Sequence, residues 1–202
     1  MANQLAKIVS PRGIAVYPWL NRPDTKFSEG GDYKVTLKVG AADAQPLVEK
    51  LDEIINDFHL EESKRNPKVK QYTVSPPYEE EVDDQGNLTG NLLFKFKQKA
   101  KIQTKDGRSI DMKVALVDAS RTPTTVNVGG GSEIKIAATV APYAMNSAKN
   151  IGLTLRPSAV QILKLAEGNN VVSLFDDEDG FVTDETATAS TNVPELDTAA
   201  DF

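Results

Sequence analysis

Hydrophobic and polar residues alternate in short runs along much of this 202-residue chain. Between 33 and 39, Tyr33, Val35, Leu37 and Val39 share one face, while Lys34, Thr36 and Lys38 share the other. Further runs lie at 92–102, 109–117, 124–128, 133–140, 151–155 and 159–165. Period-two spacing is typical of strands that bury one face. Since no strand–helix–strand alternation is present, the pattern predicts a small antiparallel β-barrel or sandwich.

Turn residues divide these runs into hairpins. Asp106 and Gly107 separate the runs at 92–102 and 109–117, and three glycines at 129–131 separate the runs at 124–128 and 133–140. An Asp-Gly pair between two alternating runs is a strong hairpin signal. We therefore expect two hairpins, followed by two further strands at 151–155 and 159–165.

One segment has helical spacing. Asp43 is a candidate N-cap and Pro46 suits a first helical turn. The apolar residues that follow recur every three or four positions: Leu47, Val48, Leu51, Ile54, Ile55 and Phe58. The sequence predicts a single amphipathic helix over 43–58. The charged, proline-interrupted stretch from 61 to 90 is expected to be a long, mobile excursion.

The charge is distributed unevenly between two regions. Residues 176–202 contain nine acids and no base, whereas residues 1–175 contain 20 acids and 23 bases. We predict a folded, mildly basic domain over 1–175 and a disordered acidic tail over 176–202. Such tails often only keep a protein in solution. A terminal Asp201-Phe202, with Asp197 nearby, instead suggests that the tail binds a partner.

The residue types needed for catalysis are scarce. The chain has no cysteine and a single histidine, His59, so thiol nucleophiles, cysteine-ligated zinc and iron–sulfur clusters are excluded. The glycines at 129–131 lack the Gly-Lys-Ser/Thr of a phosphate-binding loop. We therefore expect no enzyme activity, no catalytic residue, no cofactor and no bound metal. No apolar segment predicts secretion or a membrane span.

The segment from 94 to 102 is the most informative about function. On a strand, Lys95, Lys97, Lys99 and Lys101 all point to one side, at intervals of about 6.6 to 6.8 Å. This is the scale of phosphate spacing in an extended nucleic acid. Lysines also protect edge strands from aggregation, which is the competing interpretation. Other bases favour a basic stripe on the sheet: Lys34, Lys38, Lys105, Arg108 and Lys113.

Proteins that bind single strands combine a basic groove with aromatic side chains that stack on bases. Tyr17 and Trp19 lie beside Pro18, so we expect them in a loop where they need not be buried. Tyr72 and Tyr78 lie in the expected excursion, where they either close over a bound strand or anchor the loop. The sequence predicts these four aromatic residues as candidate platforms.

Several motifs occur together in the order of a known family. They are Tyr17-Pro18-Trp19-Leu20-Asn21, the segment 23–27, Tyr33-Lys34-Val35-Thr36-Leu37, Val117-Asp118-Ala119, Gly129-Gly130-Gly131-Ser132, the segment 153–165 and Asp179-Gly180-Phe181. Across about the entire chain, this set resembles the single-stranded DNA-binding proteins of tailed bacteriophages, of the podovirus helix-destabilising type. The resemblance implies an OB-fold barrel with an inserted helix at 43–58. It also implies an acidic tail that recruits the polymerase and primase-helicase and covers the DNA groove when DNA is absent.

The expected function is sequence-independent binding of single-stranded DNA in phage replication, recombination and repair, in the cytoplasm of the infected bacterial host. A homodimer is a further candidate assembly. The alternative is a phage assembly or interaction protein without DNA affinity, whose lysines serve only solubility. RNA binding is a weaker third option, because nothing in the sequence predicts recognition of a 2′-hydroxyl.

Overall fold

A computed structural model describes residues 5–26, 28–67, 69, 71–104 and 106–166 of the protein. The described residues form one helix and eleven strands, which confirms a mainly β fold with a single helix. The elements in chain order are β1 (Lys7–Val9), β2 (Gly13–Asp24), β3 (Asp32–Gly40), α1 (Ala41–Arg65), β4 (Thr73–Ser75), β5 (Tyr78–Val82), β6 (Leu88–Lys99), β7 (Lys101–Gln103), β8 (Ser109–Asp111), β9 (Ala115–Val117), β10 (Glu133–Met145) and β11 (Asn150–Lys164). The predicted tail over 176–202 and the candidate residues Lys105, Asp197, Asp201 and Phe202 lie outside the described residues.

Five long strands build the frame of the sheet. Strand β3 pairs with both β2 and β6, and β10 pairs with β11, all in antiparallel orientation. Two further strand pairings are short: β10 pairs with β2 at Glu133–Ile14 and Ile134–Gly13, and β11 pairs with β6 at Leu155–Phe96. Because these pairings contain so few residues, the sheet is not closed as a barrel. The all-antiparallel expectation also needs correction, since β4, β6 and β9 pair with β11 in parallel.

Helix α1 lies against the inner side of this sheet. Its buried apolar residues are Ala44, Leu47, Leu51 and Ile55, in the same core as Phe94 and Phe96 of β6. Full burial of a leucine contributes about 1.5 to 3 kcal/mol, so this stripe fixes the helix on the sheet. The helix is longer than predicted at both ends, and its N-cap is Gly40 rather than Asp43.

The described residues between 61 and 90 include the end of α1 and the strands β4 and β5, so the expected long, mobile excursion is wrong. The first part of this segment completes α1, and β5 pairs with β6 as a hairpin. In the hairpin turn, Asp83 Oδ1 accepts hydrogen bonds from the backbone N–H groups of Gln85 at 2.9 Å and Asn87 at 2.8 Å. The Asp83 side chain therefore stabilises the turn by hydrogen bonds to its backbone, although the acidic composition predicted a mobile segment.

Other predicted strand boundaries also change. The segment 124–128 is irregular, and the two strands expected between 151 and 165 are one continuous strand, β11. The hairpin around Asp106 and Gly107 is present as the short pair β7–β8. Both predicted strands are interrupted, the first at Ala100 and the second between β8 and β9. None of the helices within the described residues is long and apolar enough to cross a membrane.

Candidate nucleic-acid interface

The lysines of β6 alternate with buried residues as the sequence predicts. Phe94, Phe96 and Gln98 are buried, while Lys95, Lys97 and Lys99 are exposed. Lys101 is exposed on β7, after the strand is interrupted at Ala100. We call the outward side of β3 and β6 the lysine face; its bases are Lys34, Lys38, Lys95, Lys97 and Lys99.

The strand register aligns this face across three strands. Trp19 of β2 lies opposite Lys34 of β3, and Lys34 lies opposite Lys97 of β6. Neighbouring strands are about 4.8 Å apart, so these three side chains form a row across the sheet. Like charges directly opposite one another destabilise a sheet, which means that Lys34 and Lys97 need compensating partners.

Carboxylates supply that compensation. Lys97 Nζ lies 3.2 Å from Asp32 Oδ2, Lys95 Nζ lies 2.7 Å from Glu79 Oε2, and Lys38 Nζ lies 3.4 Å from Glu81 Oε1. Lys34 forms an ion pair with Asp24. Four of the five bases are thus paired with acids, so the lysine face is less positive than its sequence indicates.

Two of these acids are held in the charged form. The hydrogen bond from Lys34, together with that from the backbone N–H of Lys26, lowers the pKa of Asp24 below its usual value. Hydrogen bonds from the Thr89 hydroxyl and the Asn91 amide lower the pKa of Glu81. Both carboxylates therefore remain ionised beside their lysines at neutral pH.

Tyr17 is the most exposed aromatic candidate. The residue is 82% exposed, and its backbone has φ of 49°, in the left-handed region that non-glycine residues rarely adopt. A cleft of about 300 Å³ lies between this ring and the outward side chains of Lys34, Thr36, Lys95 and Lys97. Backbone strain of this kind is concentrated at functional sites. The ring is thus available for stacking directly beside the lysines.

The segment 17–19 belongs to a strand rather than to the predicted loop. The pairing of β2 with β3 shifts register between Val16 and Trp19, so the chain bulges at Tyr17 and Pro18. A bulge redirects side chains out of the regular alternation. This geometry explains why Tyr17 projects while Trp19 remains half-buried.

Trp19 has a cationic neighbour that sequence analysis missed. The guanidinium carbon of the exposed Arg22 lies 5.6 Å from the Trp19 ring centroid, a cation–π distance. Asn21 joins this part of β2 to the loop before β10: its amide nitrogen donates to the Val126 carbonyl at 2.7 Å, and its amide oxygen accepts from the Val128 N–H at 3.0 Å. The glycine-rich loop is therefore positioned by strand β2.

Tyr72 and Tyr78 are structural anchors, so their prediction as stacking platforms is corrected. Tyr72 is 4% exposed, donates to Asn146 Oδ1 at 2.9 Å and contacts the His59 ring edge-on at 6.1 Å. Tyr78 packs against Phe94 and donates to Asp52 Oδ1 at 2.8 Å. Burial of the hydroxyl is the larger cause, and this hydrogen bond the smaller one, that raises the pKa of Tyr78 to about 12.

A second cleft of about 660 Å³ continues from the lysine face. Asp32, Lys97 and Lys99 form one side, and Thr154 and Arg156 of β11 form another. Sequence analysis missed Arg156, because the chain around Pro157 was divided into two strands. One continuous alternating strand would have placed Arg156 on the outward side with Thr154.

Three bases near these clefts have no acid partner within the described part of the chain. No described carboxylate oxygen lies within 4.0 Å of the side-chain nitrogens of Lys99, Lys101 or Arg156. Lys99 and Arg156 share the second cleft, and Lys99 and Lys101 share a neighbouring hollow beside Gly30. These bases extend the positive surface beyond the paired lysines.

The remaining predicted bases lie at the edge of the surface. Arg108 Nη2 lies 2.9 Å from Asp106 Oδ2 in the β7–β8 turn. Lys113 is exposed between β8 and β9, so its predicted position on a strand is wrong. The structure therefore groups Tyr17 and Trp19 with the lysine face, but not Arg108 or Lys113.

Comparison with known proteins identifies the family of this chain. Residues 12–165 match the family described as single-stranded DNA-binding protein, bacteriophage T7. The chain is 28% identical over 193 residues to the single-stranded DNA-binding protein of Escherichia phage T7, covering 86% of this chain and 83% of that one. It is also 28% identical over 166 residues to the corresponding protein of Enterobacteria phage T3, covering 74% and 72% of the two chains.

Solved structures show the same fold. The crystal structure of gp2.5, a single-stranded DNA-binding protein encoded by bacteriophage T7, matches with a TM-score of 0.68 and 26% identity, over 84% of this chain and 97% of that one. The single-stranded DNA-binding protein of bacteriophage Enc34, in complex with single-stranded DNA, matches with a TM-score of 0.52 and 15% identity, over 80% and 88%. The match to the family model spans most of this chain. The chain therefore belongs to the bacteriophage T7 single-stranded DNA-binding protein family.

Proposed function

We propose that this chain binds single-stranded DNA without sequence preference and catalyses no reaction. The observation that carries the proposal is the cleft between the exposed Tyr17 ring and the lysine face. Phosphates would lie along Lys95, Lys97 and Lys99, and a base would stack on Tyr17. Membership of the T7 family supports the same function.

Two physical effects supply the affinity. Bases that neutralise phosphates release condensed cations, which favours binding most at low salt. Stacking on an aromatic ring adds about 1 to 3 kcal/mol per base and tolerates any base. A protein that binds the single strand but not the duplex stabilises the melted state by mass action, without hydrolysing a nucleotide.

Anisotropy of a labelled 30-nucleotide oligo-dT tests the proposal, with a matched duplex as the control and two salt concentrations. We expect tight binding that weakens with salt and favours the single strand. Absence of binding would favour the alternative, a phage assembly protein whose lysines serve solubility.

The acidic segment has a separate proposed role. With nine acids and no base, residues 176–202 would compete with DNA for the basic surface and recruit phage or host replication proteins, such as polymerase and primase-helicase, through Asp197, Asp201 and Phe202. These contacts would serve replication, recombination and repair in the cytoplasm of the infected host, and a homodimer is a candidate assembly.

Deletion of residues 176–202 tests the competition. We expect the truncated protein to bind oligo-dT more tightly than the full chain at low salt, because an internal polyanion has been removed. Equal affinities at low salt would contradict the competition and leave the DNA site itself unaffected.

A further inference from the structure

Acids from three strands converge on the lysine face. Asp24 lies at the end of β2, Asp32 at the start of β3, and Glu79 and Glu81 on β5. Each one forms an ion pair with a different lysine. The lysine face thus contains four lysine–carboxylate ion pairs.

Two of the four carboxylates are largely buried. Asp24 is 7% exposed and Asp32 is 9% exposed. A carboxylate buried to this degree is costly unless it is paired and hydrogen-bonded. Asp24 Oδ1 also accepts a hydrogen bond from the Lys26 backbone N–H at 2.9 Å. Ion pairing therefore compensates the burial of Asp24 and Asp32, and a hydrogen bond adds to this at Asp24.

The pairing changes what an incoming phosphate meets. Five lysines face four carboxylates, so the lysine face has an excess of one positive charge. A phosphate that approaches Lys97 or Lys95 meets an ammonium group already in contact with a carboxylate oxygen. Binding then exchanges one anionic partner for another, and the released carboxylate must be solvated or regain a counterion.

We propose that these four acids occupy the phosphate positions of the lysine face in the free protein and limit its affinity for single-stranded DNA. The inference rests on the proposed function and deepens it, by assigning a role to residues that oppose binding. Lys99, Lys101 and Arg156 would make the first contacts, and the paired lysines would exchange partners afterwards. The acids keep the bound state readily reversible.

The test uses the full-length protein with Asp32→Asn and Glu79→Gln, singly and together. Each change keeps the side-chain shape and removes one competing charge. The control is Glu133→Gln. Glu133 lies on β10, outside the lysine face, and its Oε1 lies 2.9 Å from Arg12 Nε. The measured quantities are the dissociation constant for a 30-nucleotide oligo-dT and its dependence on salt. Thermal unfolding checks that each variant is folded.

We expect Glu79→Gln to bind about 1.5- to 5-fold more tightly, which corresponds to an exposed ion pair of about 0.2 to 1 kcal/mol. Asp32→Asn should also bind more tightly than the wild type. The double variant should combine both gains and show a steeper salt dependence, because fewer carboxylates regain cations. The control should bind like the wild type.

Failure of this inference can be distinguished from failure of the proposed function. If the wild type binds but the double variant gains no more than Glu133→Gln, the acids do not limit affinity and the inference is overturned, while the proposed function stands. If no variant, including the wild type, binds oligo-dT, the proposed function itself fails. Glu79 is 52% exposed, so Glu79→Gln remains informative should Asp32→Asn impair folding.

Discussion

Lys99 and Arg156 provide the cleanest test of the electrostatic account. Both line the cleft of about 660 Å³, and neither has a carboxylate partner within the described residues. Changing both to glutamine therefore removes two positive charges without leaving an acid unpaired. The same change at Lys97 would leave Asp32, whose side chain is only 12% exposed, without its partner and would lower stability as well as affinity.

The expected effect follows from counterion release. Each phosphate contact on a single strand contributes about 0.7 to the slope of log K against log salt. Loss of two contacts should reduce the slope by about 1.4 and weaken binding about 25-fold at 0.1 M salt, or about 5-fold per contact. Fluorescence anisotropy over a salt series measures both quantities.

Helix α1 offers a matched control. Lys50→Gln with Lys64→Gln removes the same charge from exposed positions on that helix. If the control reduces the slope as much as Lys99→Gln with Arg156→Gln, net charge alone governs affinity and the cleft has no special role. An unchanged slope in the cleft variant would refute the assignment of phosphate contacts to these two residues.

Two aromatic residues give further predictions. Tyr17→Gly should weaken oligo-dT binding by about 1 to 3 kcal/mol, because a stacking ring is lost. Thermal unfolding should show stability unchanged or raised by about 1 kcal/mol, because glycine relieves the positive φ. A parallel loss of stability would mean that the ring is structural. Tyr78→Phe should lower stability at pH 9 by about 0.5 to 1.5 kcal/mol through loss of the bond to Asp52. Because the pKa of Tyr78 is raised to about 12, its stabilising contribution is complete below pH 10 and is lost as pH rises to about 12. Urea unfolding at pH 9 and 11 should therefore show a smaller difference between wild type and variant at the higher pH, and a constant difference would contradict this assignment.

Local patterning predicted the elements that carry the site. The alternation through Phe94, Lys95, Phe96 and Lys97 is enough to place the lysines on one side of a strand, because side chains in a strand have a period of two. The spacing of Leu47, Leu51 and Ile55 likewise identifies the buried face of α1.

Partners across strands were not predictable in the same way. Lys97 and Asp32 are far apart in the chain, and only the register of β3 against β6 brings them to 3.2 Å. Alternation assigns a side chain to a face but does not fix which residue lies beside it, since register depends on the whole sheet. The ion pairs between the lysine face and its carboxylates could therefore not be predicted from the sequence.

Tyr72 and Arg156 illustrate the two opposite errors. Charge and proline content suggested a mobile segment around Tyr72, yet its hydrogen bond to Asn146 connects it to the end of β10. The alternating runs at 151–155 and 159–165 predicted two strands, yet β11 continues through Pro157 and exposes Arg156. In both cases tertiary contacts outweighed local composition.

Lysine acetylation footprinting of the full-length protein, with and without oligo-dT, tests most directly whether single-stranded DNA occupies the lysine face. Mass spectrometry reports the modification rate of each lysine, and Lys50 and Lys64 on α1 serve as internal references. We predict that DNA slows the modification of Lys95, Lys97, Lys99 and Lys101 and leaves the references unchanged. Protection of α1 with no change at those four lysines would contradict the account.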